Sequence, residues 1–293
     1  MKTAVKYRLI LIAIALLVLA AAVVIFALSL RPGPVDPHEG QVYIYDGFDW
    51  IWMTPLPGVE ANTMTAEDFT DQSGHPTFTG DGYQVLRGVD VSEHQHQIDW
   101  AQVAASGVDY AYVRLGYRGY TEGGLFEDPY FKANMEGALA NGLQVSVYFF
   151  SQAITVQEAI EEAEFVLERI KDYNITLPVV FDWEKINGET AARTDTLDFN
   201  ILNDCAVAFC DTVKNAGYAP AIYFNRHLGY YGYDLSRMTD YAFWFALPES
   251  PFPNFYYAVD MWQYSFTEQV PGIAEPTDMN LMFIPLETGE DAA

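Results

Sequence analysis

Two acidic residues stand two positions apart at the end of an apolar run. The stretch LPVVFDWE, residues 177–184, places Asp182 and Glu184 on either side of Trp183. In a β-strand, residues i and i+2 point the same way, so both carboxylates would face one cavity and Trp183 would face away. Two acids in a dry cavity do not both ionise easily, because each charge raises the pKa of the other. The sequence predicts one protonated acid beside a charged partner, the division of labour that glycoside hydrolysis needs.

Two further acids favour this interpretation over the alternative of a solvated acid pair in a loop. Asp90 follows LRGV, and Asp278 begins DMNLMFI. Catalytic groups of α/β barrels collect at the carboxyl ends of the strands, and closing a barrel makes its first and last strands neighbours. We therefore expect Asp90 and Asp278 to face one another, and we predict all four acids as catalytic residues.

Other chemistries have weaker support in the sequence. Four acids could hold Mg²⁺ or Ca²⁺, but the five histidines form no HExxH pattern, and His94 and His96 are expected in a loop before a helix. No GxSxG motif is present. Cys205 and Cys210 stand about 8 Å apart along a predicted helix, too far for a disulfide. We predict two buried thiols, no metal site and no cofactor.

Eight apolar runs of strand length must position the acids. Several are apolar on both faces, as in parallel strands that are buried on both sides. Helical patterns separate the early runs, which predicts right-handed βαβ units and a closed, TIM-like (β/α) barrel over residues 86–285. The last three runs leave little room for helices, so we expect an irregular barrel. The runs are LRGVDV, VDYAYVRLG, LQVSVYFF, LPVVFDWE, YAPAIYFN, AFWFAL, AVDMWQYS and DMNLMFI.

The N-terminus has the pattern of a membrane anchor. Three basic residues within positions 1–8 precede an apolar run over 9–30, long enough to span a bilayer as a helix. The run continues past Ala20-Ala21-Ala22, which favours an uncleaved anchor over a cleaved signal and secretion. The basic end is expected inside the cell and the remainder outside.

The chain has 40 acidic against 15 basic residues, a net charge of −25, which disfavours nucleic-acid binding.

The segments between the anchor and the barrel are short. Residues 31–40 are rich in Pro and Gly and predict a spacer, and residues 286–293 form a C-terminal tail. Residues 41–85 are predicted to pack on the barrel, because Tyr43, Tyr45, Trp50 and Trp52 need burial. A small wall-binding patch is the alternative for this segment.

Taken together, the motifs resemble those of the family-25 glycoside hydrolases, the lysozymes that cleave bacterial peptidoglycan. The resemblance covers residues 87–283 and lies in the order of GVDVSEHQHQIDW, VYFFSQA, PVVFDWE, YFN, MWQYS and DMN. It implies catalytic roles for Asp90, Asp182, Glu184 and Asp278, with Glu184 as the proton donor, and a substrate role for Tyr148.

Two departures from the family pattern bear on substrate preference. Phe149 stands where the family usually has His, and Glu275-Pro276-Thr277 replaces a Gly-x-Val lead into the last motif. Neither departure touches the four acids.

Aromatic and polar residues near the predicted strand ends are candidates for sugar contact, although most such aromatics belong to cores. Arg114 is expected to pair with a carboxylate and orient it, and Gln263 to hydrogen-bond sugar. The predicted substrate-binding residues are Tyr117, Tyr148, Tyr223, Trp262, Gln263 and Arg114.

The resemblance implies hydrolysis of the β-1,4 bond between N-acetylmuramic acid and N-acetylglucosamine, with peptidoglycan glycan strands as the partner and no protein partner. A non-catalytic wall-binding module is one alternative, disfavoured because it would not need four strand-end acids. A glycosidase that acts on another N-acetylated polysaccharide, such as chitin, is the second alternative.

Overall fold

The computed structural model describes residues 2–29, 36–71, 75–186 and 190–286. The chain divides into two compact units, Met1–Tyr43 with Trp52–Thr54, and Ile44–Ile51 with Pro55–Ala293. In the first unit, helix α1 (Lys2–Ser29) has exposed apolar side chains, and Val5–Ala27, with a mean hydropathy of 3.4, is long and apolar enough to cross a membrane. The end of the predicted anchor at residue 30, most of the spacer and most of the C-terminal tail lie outside the described residues.

A short hairpin follows the spacer. Strands β1 (Val42–Tyr45) and β2 (Trp50–Met53) form a two-stranded sheet. The expected burial of its aromatic residues is wrong: all four are exposed, from 36% for Tyr45 to 61% for Trp50. Side chains alternate across a strand, and Ile44 occupies the buried face. The rings instead contact each other, with centroids 5.0 Å apart for Tyr43 and Trp52 and 5.7 Å for Tyr45 and Trp50.

The described part of residues 55–82 belongs to the second unit and contacts the outside of the barrel. A 3-10 turn (Ala66–Asp68) precedes the antiparallel pair β3 (Phe69–Asp71) and β4 (Pro76–Phe78). The ring of Phe69 lies edge-on to Trp262 at 5.6 Å and to Phe283 at 6.1 Å. The described part of this segment thus covers an aromatic surface of the barrel wall.

Eight strands close into the predicted barrel, which confirms the fold class. Seven neighbouring strands run parallel, while the eighth, β13, pairs antiparallel with both the first and the seventh. Residues 269–276 are too few for a crossover, so the chain returns as an antiparallel hairpin. A short strand, β7 (Leu125–Glu127), adds to the edge of β6. The barrel strands are β5 (Tyr83–Val91), β6 (Tyr110–Arg118), β8 (Gln144–Ser151), β9 (Val179–Trp183), β10 (Pro220–Asn225), β11 (Ala242–Ala246), β12 (Met261–Glu268) and β13 (Thr277–Pro285).

Within the described part of the barrel, α-helices occur only between the early strands, as the sequence predicts. Thr155 accepts a hydrogen bond from the backbone N–H of Glu158 at 3.2 Å and so caps α4. Cys205 and Cys210 are buried free thiols on α5. The later connections contain a π-helical turn (Leu228–Gly232) and a 3-10 turn (Leu235–Arg237). The helices are α2 (Trp100–Ala105), α3 (Phe131–Ala140), α4 (Val156–Ile170) and α5 (Phe199–Asn215).

The interior of the barrel is filled at its amino-terminal end. Tyr110, Tyr112 and Met282 are buried there in one apolar cluster. A Cβ on Gly88 would meet the Tyr110 ring at 2.2 Å, so this position of β5 accepts only glycine. This apolar cluster fills the lower interior, and the cavity that holds the predicted acids lies above it, at the carboxyl ends of the strands.

Candidate active site

A cavity of about 660 Å³ opens at the carboxyl ends of the barrel strands and contains all four predicted acids. Asp90 ends β5, whereas Asp182 and Glu184 come from the end of β9. Asp278 lies at the start of β13, which is antiparallel, and so reaches the same edge of the barrel. Trp183 does not line this cavity and contributes instead to a smaller one lined by the start of α5. The alternation inferred from the DWE tripeptide therefore holds in the structure.

Asp90 and Asp278 are direct partners across the seam between β5 and β13. The side-chain amide of Gln263 donates to Asp90 at 2.9 Å and to Asp278 at 3.3 Å. The amide of Asn280 donates to the same oxygen of Asp90 at 2.8 Å. Asp90 is thus a buried carboxylate that accepts several hydrogen bonds, which favour its charged form.

Each of these two amides has an aromatic hydrogen-bond partner. The hydroxyl of Tyr223 donates to the amide oxygen of Gln263 at 2.7 Å, and the indole N–H of Trp244 donates to that of Asn280 at 2.8 Å. An indole N–H can only donate, so the Asn280 oxygen must face Trp244 and its NH₂ must face Asp90. The contact with Trp244 therefore fixes Asn280 as a donor to Asp90.

The electrostatics of the cluster separate Asp90 from Asp278. Burial raises the pKa of Asp90 to about 6, and the hydrogen bonds from Asn280, Gln263 and Asp278 oppose that rise. Burial, followed by the charges of Asp90 and Glu184, raises the pKa of Asp278 to about 9. Near neutral pH, Asp278 is therefore protonated and donates to an ionised Asp90.

The pKa values of Asp182 and Glu184 are both raised. Burial and then the charge of Glu184 raise the pKa of Asp182 well above its ordinary value. Burial and then the charge of Asp90 raise the pKa of Glu184. One oxygen of Asp182 is buried without a hydrogen-bond partner, and the charge of Arg114 opposes the rise in the Asp182 pKa. The raised pKa of Glu184 agrees with an acid role, whereas the raised pKa of Asp182 disfavours the ionised partner that the sequence predicts.

The pH dependence of the free energy of unfolding should reveal the proton that Asp278 holds in the folded protein. Its pKa is about 9 in the folded protein against 3.8 as the ordinary value, so between these values only the folded state holds the proton. Stability must fall as pH rises through this window, by at most about 1.4 kcal/mol per pH unit for one proton. Asp278→Asn removes this slope. In urea unfolding at pH 4.5, 6 and 7.5, the free energy of unfolding of the variant should rise relative to that of the wild type as pH increases. The same pH dependence in both proteins would contradict the assignment.

Five of the six predicted substrate-binding residues line the cavity: Tyr117, Tyr148, Tyr223, Gln263 and Arg114. Arg114 pairs with carboxylates as expected, but with Asp128 at 2.8 Å and Glu93 at 2.9 Å and not with the four acids. Its role is therefore to hold the loop after β5 beside the cavity.

Trp262 is the incorrect member of the set. It is fully buried on the outward face of β12, its indole N–H donates to the Leu247 carbonyl at 3.0 Å, and its ring packs on Phe69. Adjacent residues of a strand face opposite ways, so Gln263 and Trp262 cannot both reach the cavity.

Trp262→Ala should therefore weaken the fold and not substrate binding. Truncation of a buried Trp costs about 3–5 kcal/mol, and urea unfolding should show that loss. Phe266→Ala is a matched control, because Phe266 is on the same strand and 43% exposed. Equal stability of the wild type and Trp262→Ala would contradict the buried placement.

Two residues of the hydrogen-bond network around Asp90 escaped the sequence analysis. Asn280 stands two residues after Asp278, so strand alternation alone could have placed it on the same face. Trp244 lies inside the apolar run AFWFAL, which gives no sign of its contact with Asn280. Phe149 is buried against Phe165 of α4, with ring centroids 5.9 Å apart. The departure from the family's His therefore lies outside the cavity.

Across the described ranges, no group of three or more His, Cys, Asp or Glu side chains is arranged to hold a metal ion.

The comparison with known sequences now defines the class of protein. The profile of the glycosyl hydrolases family 25 matches residues 89–273. The chain therefore belongs to this family and is a glycoside hydrolase.

Individual relatives agree with the family assignment. The Escherichia coli K12 protein YegX is 29% identical over 202 residues, which cover 67% of this chain and 69% of that protein. Lysozyme M1 of Streptomyces globisporus is 24% identical, covering 67% of each chain. The modular autolysin LytC of Streptococcus pneumoniae, solved with a synthetic peptidoglycan ligand, is 25% identical with a TM-score of 0.54. That match covers 73% of this chain and 57% of LytC.

Proposed function

We propose that the protein is a lysozyme-type enzyme that hydrolyses the β-1,4 bond between N-acetylmuramic acid and N-acetylglucosamine in peptidoglycan. The observation that carries the proposal is one cavity that holds Asp90, Asp182, Glu184 and Asp278, in a chain whose residues 89–273 match the family. The lysozyme and the autolysin among the relatives support the choice of polymer.

Glu184 is the general acid in this proposal. Its raised pKa keeps a proton available, which passes to the glycosidic oxygen as the bond from that oxygen to the anomeric carbon breaks. The anomeric centre becomes positive and must be stabilised from the cavity. The carboxylate left on Glu184 then accepts a proton from the attacking water.

Asp182 assists at the anomeric centre by one of two routes. In the first, its side chain orients the 2-acetamido group, whose carbonyl oxygen attacks the anomeric carbon; water then opens this intermediate with net retention. In the second, the carboxylate of Asp182 faces the sugar directly. The first route suits an N-acetylated substrate, and substrate assistance is an established exception to the two-carboxylate scheme.

Asp90 and Asp278 act together in the proposal. Asp90, held ionised by the amides of Asn280 and Gln263, provides the negative charge that a positive transition state needs. Asp278 keeps its proton, donates a hydrogen bond to Asp90 and so orients the charged carboxylate. Preorganised charge of this kind stabilises a transition state without reorganisation during the reaction.

Clearing of a cell-wall suspension tests the proposal. The wild type should lower the turbidity of purified peptidoglycan and leave chitin intact, and Glu184→Gln should bind without clearing. A wild type that binds walls and never clears them would support a non-catalytic module. Clearing of chitin alone would point to a different N-acetylated polymer.

We also propose that residues 9–30 anchor the enzyme in the cell membrane, with the barrel outside the cell. The support is the apolar, exposed helix Val5–Ala27 behind a basic N-terminus, and the wall polymer itself lies outside the cytoplasm. Fractionation should place the full-length chain in the membrane, whereas a variant lacking residues 2–30 should not sediment. Processed protein free in the medium would instead show a cleaved signal.

A further inference from the structure

Glu184 stands one residue beyond the regular pairing of its strand. The last partner pair between β8 and β9 is Ser151 with Trp183, and the last between β10 and β9 is Tyr223 with Asp182. The main chain at Glu184 therefore has no partner in the ladders that hold the rest of β9.

The side chain of Gln152 supports the main chain at Glu184. Gln152 directly follows β8 and is completely buried. Its amide N–H groups donate to the backbone carbonyl of Glu184 at 3.1 Å and to that of Ser151 at 2.9 Å. Its amide oxygen accepts from the hydroxyl of Thr194 at 2.6 Å. Two carbonyl oxygens can only accept, so the amide has one orientation.

Thr194 connects this support to the opposite rim of the cavity. It is buried in the loop between β9 and α5, next to Arg193. The backbone N–H of Arg193 donates to the carbonyl of Tyr120 at 2.8 Å, and its guanidinium donates to Glu158 at 2.6 Å. Tyr120 lines the cavity, so one short segment holds both Glu184 and an aromatic ring of the rim.

We propose that Gln152 and Thr194 form a positioning pair that sets the place of Glu184 in the cavity. Neither side chain lines the cavity, so the pair acts through Glu184 and not on substrate. The inference rests on the proposed role of Glu184 as general acid. A proton donor must lie within hydrogen-bond reach of the leaving oxygen, and a misplacement of about 1 Å costs on the order of 10²-fold in rate.

The test uses variants that remove hydrogen bonds and keep shape. Thr194→Val and Gln152→Met in the full-length protein should lower kcat about 10–100-fold with little change in KM. Thr194→Ser keeps the hydroxyl and should stay close to wild type. Thr212→Val and Gln144→Met are matched controls, because Thr212 bonds only within α5 and Gln144 is exposed.

A second measurement separates this inference from the proposed function. The titration of Glu184, followed by carboxyl ¹³C NMR and assigned with Glu184→Gln, should shift in Thr194→Val and not in Thr194→Ser. An unshifted titration together with an unchanged kcat would overturn the positioning role even if the wild type clears peptidoglycan. A wild type without activity would refute the proposed function, and the titration would still decide whether the pair positions Glu184. If Gln152→Met does not fold, the two Thr194 variants carry the test.

Discussion

Glu184→Gln should lose at least about 10²–10⁴-fold in turnover on peptidoglycan, the usual contribution of a general acid. Glutamine keeps the shape of the side chain but has no proton to give to the leaving oxygen. The side chain lines the cavity beside three other acids, so removal of its charge should not disturb the fold. Turnover measured from released reducing ends, with circular dichroism for folding, checks the result.

Glu164→Gln is a matched control for this experiment. Glu164 is an exposed residue of α4, and its substitution should leave both turnover and unfolding unchanged. Near-normal turnover in Glu184→Gln would remove the acid assignment. Since the buried cluster raises the pKa of Glu184, the wild type should lose kcat on the alkaline side as this proton leaves.

Asp182→Asn should be the second severe lesion, on the order of 10²-fold or more in kcat. Asp182 is buried and has an oxygen without a partner in the free protein. That oxygen is free to accept from the N–H of a 2-acetamido group or to face the positive anomeric centre. Asparagine fills the same space but cannot carry the charge that either role requires.

The effects of Asp182→Asn on kcat and KM distinguish a role of Asp182 in the transition state from a role in substrate binding. Loss in kcat with an unchanged KM indicates a role in the transition state, whereas a raised KM alone would indicate simple substrate binding. Asp172→Asn, at an exposed position after α4, is the control for an Asp→Asn change. Unimpaired kcat in Asp182→Asn would contradict both proposed routes.

The barrel was predictable because its strands are long apolar runs and its early connections carry helical patterns. Acids at strand ends were predictable for the same reason, since a parallel barrel brings those ends together. The direction of β13 follows from a short connection between β12 and β13 that the sequence shows only as a gap without a helix.

Other features depend on contacts between residues far apart in the chain. The pKa of Asp278 reflects burial beside Asp90, which is distant in sequence. Arg114 selects Asp128 and Glu93 because the loops after β5 and β6 meet at the rim. The wrong prediction that Trp262 binds substrate could have been avoided from the sequence, because alternation along β12 already places Trp262 on the side opposite Gln263. The aromatic hairpin has no such signal, since aromatic content alone does not distinguish a buried face from an exposed one.

The central claim is the cleavage of one bond by the cavity that holds Glu184. Purified peptidoglycan digested with the wild-type protein should be reduced with borohydride and hydrolysed, and its reduced sugars identified by mass spectrometry. Muramic acid at the new reducing ends, absent after digestion with Glu184→Gln, is the predicted result. Glucosamine at those ends would contradict the account. An equal yield of reducing-end muramic acid from Glu184→Gln and from the wild type would also contradict it.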